Sequence, residues 1–217
     1  MSEDIIREFP SEGLPPRPRS IEQLGILVLD GSGSMSASDA QGRGTKAQAV
    51  GEAVQGLITK LQGSSRQQDF WLALIVFDNN VEVRLTPTPV TDIEISSIVA
   101  DPYIGGETAI GDALFAASTM AEDFIAGETD LPRSVVIMLM SDGQNNTGRE
   151  PLSVAQDIKT RFSSKVTMVS VAYGEDADKE TLIRIANNPE KGFRATDSAE
   201  ELRSFFESSI VERERPA

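Results

Sequence analysis

"LVLDGSGSM", residues 27 to 35, sets an apolar, strand-like run against an acid, two serines and two glycines. The apolar half, extended to "GILVLD" (25 to 30), is nearly continuous in Ile, Leu and Val, the pattern of a parallel strand covered on both faces. The polar half puts Asp30, Ser32 and Ser34 at every second position, where such a strand ends. Side chains two apart in extended chain point the same way, so these three oxygen-bearing groups can converge on one point. Gly31 and Gly33 between them permit backbone angles that larger residues resist. A polar turn capping the next helix is the plain alternative, and sequence far downstream decides between the two.

Further apolar runs follow at "FWLALIVFD" (70 to 78), "VEVRL" (81 to 85), "SVVIMLM" (134 to 140), "KVTMVSVAY" (165 to 173) and "GFRAT" (192 to 196). "VEVRL" alternates and follows the turn signal "FDNN", which predicts an antiparallel edge hairpin with 70 to 77. Between the runs, Ala47, Val50, Val54, Leu57, Ile58 and Leu61 recur at helical spacing, as do Ala109, Ala113, Leu114, Ala117, Met120, Ala121, Phe124 and Ile125. Shorter helices are expected near 151 to 162, 178 to 187 and 198 to 212. Strands separated by helices of this length predict a doubly wound α/β fold: a mostly parallel sheet, helices on both faces and right-handed crossovers.

Composition narrows the function. Against 34 acidic side chains stand 20 basic ones, a net charge of -14 that repels nucleic-acid phosphates and anionic lipid alike. The chain has neither cysteine nor histidine, which excludes disulfides, Cys/His zinc sites, thiol nucleophiles and a Ser-His-Asp triad. Only oxygen ligands remain. The lack of cysteine fits a reducing cytoplasm, and "MSEDIIREFPSEGLPPRPRS" (1 to 20) holds no apolar signal-peptide core, so a cytoplasmic protein is expected. With four prolines, residues 1 to 20 read as an extended arm, and 210 to 217 as a solvated tail.

Ligands of open parallel sheets sit beyond the carboxyl ends of the strands. Asp30 ends the first strand there; Asp142, in "SDGQNNTG" (141 to 148), follows another central strand; and "YIGGETAIGDAL" (103 to 114) brings Thr108 to a helix start. Two carboxylates, three hydroxyls and water make about the six oxygens that a hard divalent cation needs. Two aspartates neutralise such an ion without saturating it, which leaves room for a Glu or Asp from a partner protein. Without the ion, Asp30 and Asp142 should repel, and at least one is expected to have a raised pKa.

"DGSGS" after an apolar strand, "GGET" before a helix and "SDG" after a second strand resemble the von Willebrand factor type A domain with its metal-ion-dependent adhesion site. The resemblance covers residues 21 to 209. It places the family's ligand set on Asp30, Ser32, Ser34, Thr108 and Asp142, and implies a six-stranded sheet with one antiparallel edge strand. It also implies Mg2+ (Ca2+ or Mn2+ in some members) and partner binding without catalysis. Members lacking a leader imply a bacterial intracellular adaptor beside an AAA+ ATPase, kinase or phosphatase. The competing expectations are an extracellular adhesin fragment and a metal-dependent phosphohydrolase with Asp30 as nucleophile, although Ser32 stands where that chemistry wants a second acid.

Several residues have plainer readings. Thr108 suits a helix N-cap, Asp142-Gly143 an ordinary turn, and Glu107 and Asp112 answer a helix dipole. "NNT" (145 to 147) matches a glycosylation sequon and is discounted. "GEDADKE" (174 to 180) reads as a loop with helix-start acids rather than a calcium loop. "SASDAQGRG" (36 to 44) is longer than the motif requires and is expected to line the rim of the site.

Overall fold

A computed structural model describes residues 21 to 211 except 40, 41, 43, 99 and 100; the expected arm at 1 to 20 lies outside the described residues, as does the tail from 212 onward. The elements run β1 (Glu22–Asp30), α1 (Lys46–Gln62), β2 (Phe70–Phe77), β3 (Val81–Pro89), α2 (Ile110–Ala126), β4 (Arg133–Ser141), α3 (Pro151–Phe162), β5 (Val166–Tyr173), α4 (Lys179–Ile185), α5 (Pro189–Gly192), β6 (Phe193–Thr196) and α6 (Ala199–Val211). The strands form one six-stranded sheet in the order β3-β2-β1-β4-β5-β6. Every pairing is parallel except β2 with β3, so the sheet is mixed as the hairpin signal required.

Strand parity sorts the core into two layers. Leu27 and Leu29 of β1 and Val136, Met138 and Met140 of β4 face α1 and α6, whose Val50, Val54, Leu57, Phe206 and Ile210 cover them. Leu24, Ile26 and Val28, with Val135, Ile137 and Leu139, face the opposite layer, where Leu114 and Ala117 of α2, Ile158 of α3 and Leu182 of α4 lie. β1 and the last seven residues of β4 are buried on both faces, which is why their sequences do not alternate. Full burial of each such Leu, Ile or Val is worth about 1.5–3 kcal/mol.

The helix ends follow local chemistry. α1 opens with a capping box in which the Thr45 side chain accepts from Gln48 N and the Gln48 side chain from Thr45 N. Glu150 caps α3 ahead of Pro151, and Asp178 caps α4 by accepting from Thr181 N, so "GEDADKE" is loop and helix start. β3 runs on through Pro87 and Pro89, beyond the expected end at 85, because an edge strand tolerates proline and its pairing with β2 shifts register between Leu72 and Ile75. α6 continues to Val211, so the boundary expected at 209 falls inside a helix whose Ile210 is buried. The turn α5, opened by Pro189 behind the capping Asn188, was not expected.

Glycines inside helices separate by what surrounds them. A Cβ on Gly111 would lie 2.1 Å from the carbonyl oxygen of Arg149, whereas one on Gly56 would meet the side chain of Arg203 at 2.9 Å. In an open helix, Ala is favoured over Gly by about 1 kcal/mol. Gly56→Ala should therefore leave the melting temperature unchanged or raise it, and Gly111→Ala should lower it, by several degrees in thermal melts. Equal effects of the two substitutions would contradict the close approach at Gly111.

Candidate metal centre

β1 and β4 lie side by side at the point where the strand order reverses. From β1 the chain passes through α1 to β2 on one side, and from β4 through α3 to β5 on the other, which opens a crevice at their carboxyl ends. Leu29 pairs with Met140, so the next residues, Asp30 and Ser141, meet. Ser141 donates its hydroxyl to Asp30 Oδ2 at 2.5 Å, and Ser32 N donates to Asp30 Oδ1 at 2.9 Å. Asp30 is fully buried.

Beyond Asp30 a short 3-10 turn, Gly33–Ser36, folds the two serines together. Ser32 Oγ and Ser34 Oγ are 3.1 Å apart, and Ser34 Oγ donates to Asp142 Oδ1 at 2.6 Å. The other oxygen of Asp142 accepts from Lys46 Nζ at 2.7 Å. Gly143 backs this group: its Cβ position lies 3.3 Å from Thr108 Oγ1 and 3.9 Å from Ser34 Oγ. All five expected residues thus gather at one end of the sheet, with Ser34 and Asp142 in contact and Thr108 beside them.

Thr108 is held from behind. The N-cap of α2 is Ala109, without a side-chain cap, so the threonine hydroxyl does not serve the helix. Asparagines of the β4–α3 loop take over: Asn146 Oδ1 accepts from Thr108 N at 2.8 Å, Asn146 N donates to Thr108 O at 3.1 Å, and Asn145 Oδ1 accepts from Gly111 N at 3.3 Å. The residues of the sequon therefore fasten one site loop to the other. Asp112 lies in the first turn of α2, in keeping with its dipole reading, and pairs with Arg149, whereas Glu107 is exposed two residues ahead of the N-cap. Ser38 bridges Thr45 and Lys46 N donates to Ala37 O, contacts that hold the head of α1 beside the serine turn, where the Lys46 side chain reaches Asp142.

Sequence reasoning passed over Ser141, Lys46, Asn145 and Asn146. Ser141 had a signal, being a polar residue at the buried end of β4. Lys46 had none, since 96 residues separate it from Asp142.

The Asp30 carboxyl is pushed above its ordinary value of 3.8, and burial is the main cause. Hydrogen bonds from Ser141 and Ser32 oppose the shift, and the charge of Asp142 adds the least. A raised pKa was expected from repulsion between the two aspartates; the direction holds, but desolvation produces it, and Lys46 stands against Asp142.

Among the described residues no three acidic side chains converge on a metal position, so any ion here must draw on hydroxyls as well. Their spacing suits one. Adjacent ligands of an octahedral Mg2+ at roughly 2.1 Å lie about 3 Å apart, and the Ser32–Ser34 and Ser34–Asp142 separations of 3.1 and 2.6 Å bracket that edge. Asp30 uses two of about four acceptor directions, which leaves others for the ion or its water.

The sequence profile of the von Willebrand factor type A domain matches residues 26–208. Inter-alpha-trypsin inhibitor heavy chain H6 of Homo sapiens is 24% identical over 94% of this chain, which spans only 15% of that protein. Among solved structures, proximal thread matrix protein 1 from the mussel byssus with a zinc-occupied MIDAS motif superposes with a TM-score of 0.65 at 21% identity, covering 88% of this chain and 45% of that one. Pilus adhesin SpaC from Lactobacillus rhamnosus GG, in its open conformation, gives 0.70 at 15% identity, covering 90% and 30%. A von Willebrand factor type A structure from Catenulispora acidiphila gives 0.66 at 19%, covering 88% and 43%. At these identities the structural likeness establishes the fold.

A carboxyl whose pKa rises on folding costs stability while ionised; the cost is full above its folded pKa and fades as pH falls toward the unfolded value. Asp30→Asn should therefore raise the melting temperature of the metal-free protein at neutral pH, by at least about 2 °C. The gap between variant and wild type should close as the pH is lowered toward about 4. Melts in EDTA across that range test this, and a variant less stable at neutral pH would contradict it.

Proposed function

The chain belongs to the von Willebrand factor type A domain family, and from that premise we propose that it is a protein-binding module that works through a divalent cation. Asp30, Ser32, Ser34, Thr108 and Asp142 hold the ion, and a Glu or Asp of the partner completes its coordination. The observation that carries this reading is the chain of oxygens Ser32, Ser34 and Asp142 at octahedral-edge spacing, with Thr108 beside it. With no imidazole or thiolate available, the donor set suits Mg2+, Ca2+ or Mn2+ better than zinc.

Bound there, the ion supplies a coordination position that a carboxylate can fill. The residues do the rest. Ser141 and Ser32 N–H fix the Asp30 carboxyl, so this donor is already oriented. Asn145 and Asn146 hold the Thr108 loop against the Asp142 loop, so the donors do not have to be gathered on binding. The chain as a whole carries -14 and repels an acidic partner at long range. Recognition of an acidic residue is thereby conditional on the ion.

In this reading the module has no catalytic activity of its own and works in the bacterial cytoplasm beside an AAA+ ATPase, kinase or phosphatase. The absence of cysteine supports that compartment. Both oxygens of Asp30 accept hydrogen bonds in a buried setting, which does not suit a nucleophile.

Mg2+ at a hundred times its Kd should stabilise the fold by about 2.7 kcal/mol, a rise of about 5 to 11 °C in melting temperature. Asp30→Ala and Asp142→Ala should abolish the rise, and affinity capture should retain a partner with wild type in Mg2+ but not with Asp142→Ala. No shift with Mg2+, Mn2+ or Ca2+ at millimolar concentration would overturn the reading.

A further inference from the structure

The site carries a cation of its own. Lys46 is the first residue of α1, and its side chain, 13% exposed, ends 2.7 Å from Asp142 Oδ2. The capping box of Thr45 and Gln48 fixes the residue at the helix start. Gly174, just past β5, gives the side chain its path: φ is +91° there, and a Cβ would lie 3.2 Å from Lys46 Nζ. The ammonium thus takes one oxygen of the carboxylate whose other oxygen receives the Ser34 hydroxyl.

We propose that Lys46 is the resident counter-cation of the ion site: it neutralises Asp142 while no divalent ion is bound, weakens the ion's binding when one arrives, and leaves the loaded centre electropositive toward a carboxylate. The inference rests on the ion-dependent reading above. An ion coordinated by Asp142 lies no more than about 7 Å from the ammonium, inside the Debye length of roughly 8 Å and largely out of solvent. Like charges at that separation oppose each other. With both aspartates ionised, two negative charges, one lysine and a divalent ion leave a net charge of +1; without the lysine the sum is zero. The same side chain therefore makes the site reluctant to load and, once loaded, more demanding of an anion.

The experiment titrates Mg2+ and Mn2+ calorimetrically into wild type, Lys46→Met and Lys46→Gln, alongside melts in EDTA. Both variants should bind the ions about tenfold more tightly or better, melt lower than wild type without metal, and gain more from Mg2+. Acetate added to the Mn2+-loaded proteins, followed by water proton relaxation, should bind wild type more tightly than either variant. Lys46→Gln retains a hydrogen bond to Asp142 and supplies the answer should Lys46→Met fail to fold in EDTA. Wild type that binds metal alongside variants that bind it no better overturns the role of Lys46 alone. Equal acetate affinity overturns its effect on the loaded site. Failure of all three proteins to bind any ion overturns both this inference and the reading beneath it, whereas binding by the variants alone supports both.

Discussion

Two carboxylates set into the ends of neighbouring parallel strands, with almost no access to water, are the constraint that the surrounding structure answers. An isolated buried charge costs several kcal/mol unless it is paired or hydrogen-bonded. Asp30 receives a backbone N–H and the Ser141 hydroxyl; Asp142 receives the Ser34 hydroxyl and the Lys46 ammonium. These four donors come from three places: Ser32 and Ser34 from the loop after β1, Ser141 from the end of β4 and Lys46 from the head of α1. The fold around the site is arranged so that these pieces arrive together.

Their arrival depends on loops that interlock rather than merely adjoin. Gly31 O accepts from both Ile104 N and Gly105 N at 2.9 Å, and a Cβ on Gly31 would lie 2.1 Å from Pro102 O, so only glycine lets the 102 to 105 segment lie over the serine loop. Gly33 N in turn donates to Gly106 O at 3.1 Å. The asparagines at 145 and 146 close the triangle by binding the start of α2. Three loops that are remote in sequence hold one another, and the donor oxygens inherit that rigidity.

Most of this fold was legible in the sequence, because the two periodicities that define it are strong: unbroken apolar runs for buried strands and three-four spacing for the faces of α1 and α2. What escaped was short or edge-bound. α5 spans four residues, too few for a period to show, and β3 outran its alternation because an edge strand accepts Pro87 and Pro89. In the site, the donors at the strand ends could be read from where they stand. The residues that hold those donors could not. Asn146 stood out only as part of a discounted sequon and Lys46 was one charge among many, since neither bears a local pattern that points to its partner. A raised pKa was foreseen for at least one of the two aspartates, but from their repulsion; that it falls on Asp30 through burial is a property of the assembled sheet and not of the pentapeptide.

The register of β1 bears on what happens when something tugs at this end of the molecule. The strand is clasped along its length, by eight paired residues of β2 on one side and eight of β4 on the other. A load entering through the loop after Asp30 and leaving through the chain ahead of Glu22 runs along the strand axis. It would slide β1 against both neighbours at once, straining all the rungs together, whereas a crosswise load would open them one by one. A tether anchored in this crevice is thus set in the direction in which the sheet yields least readily.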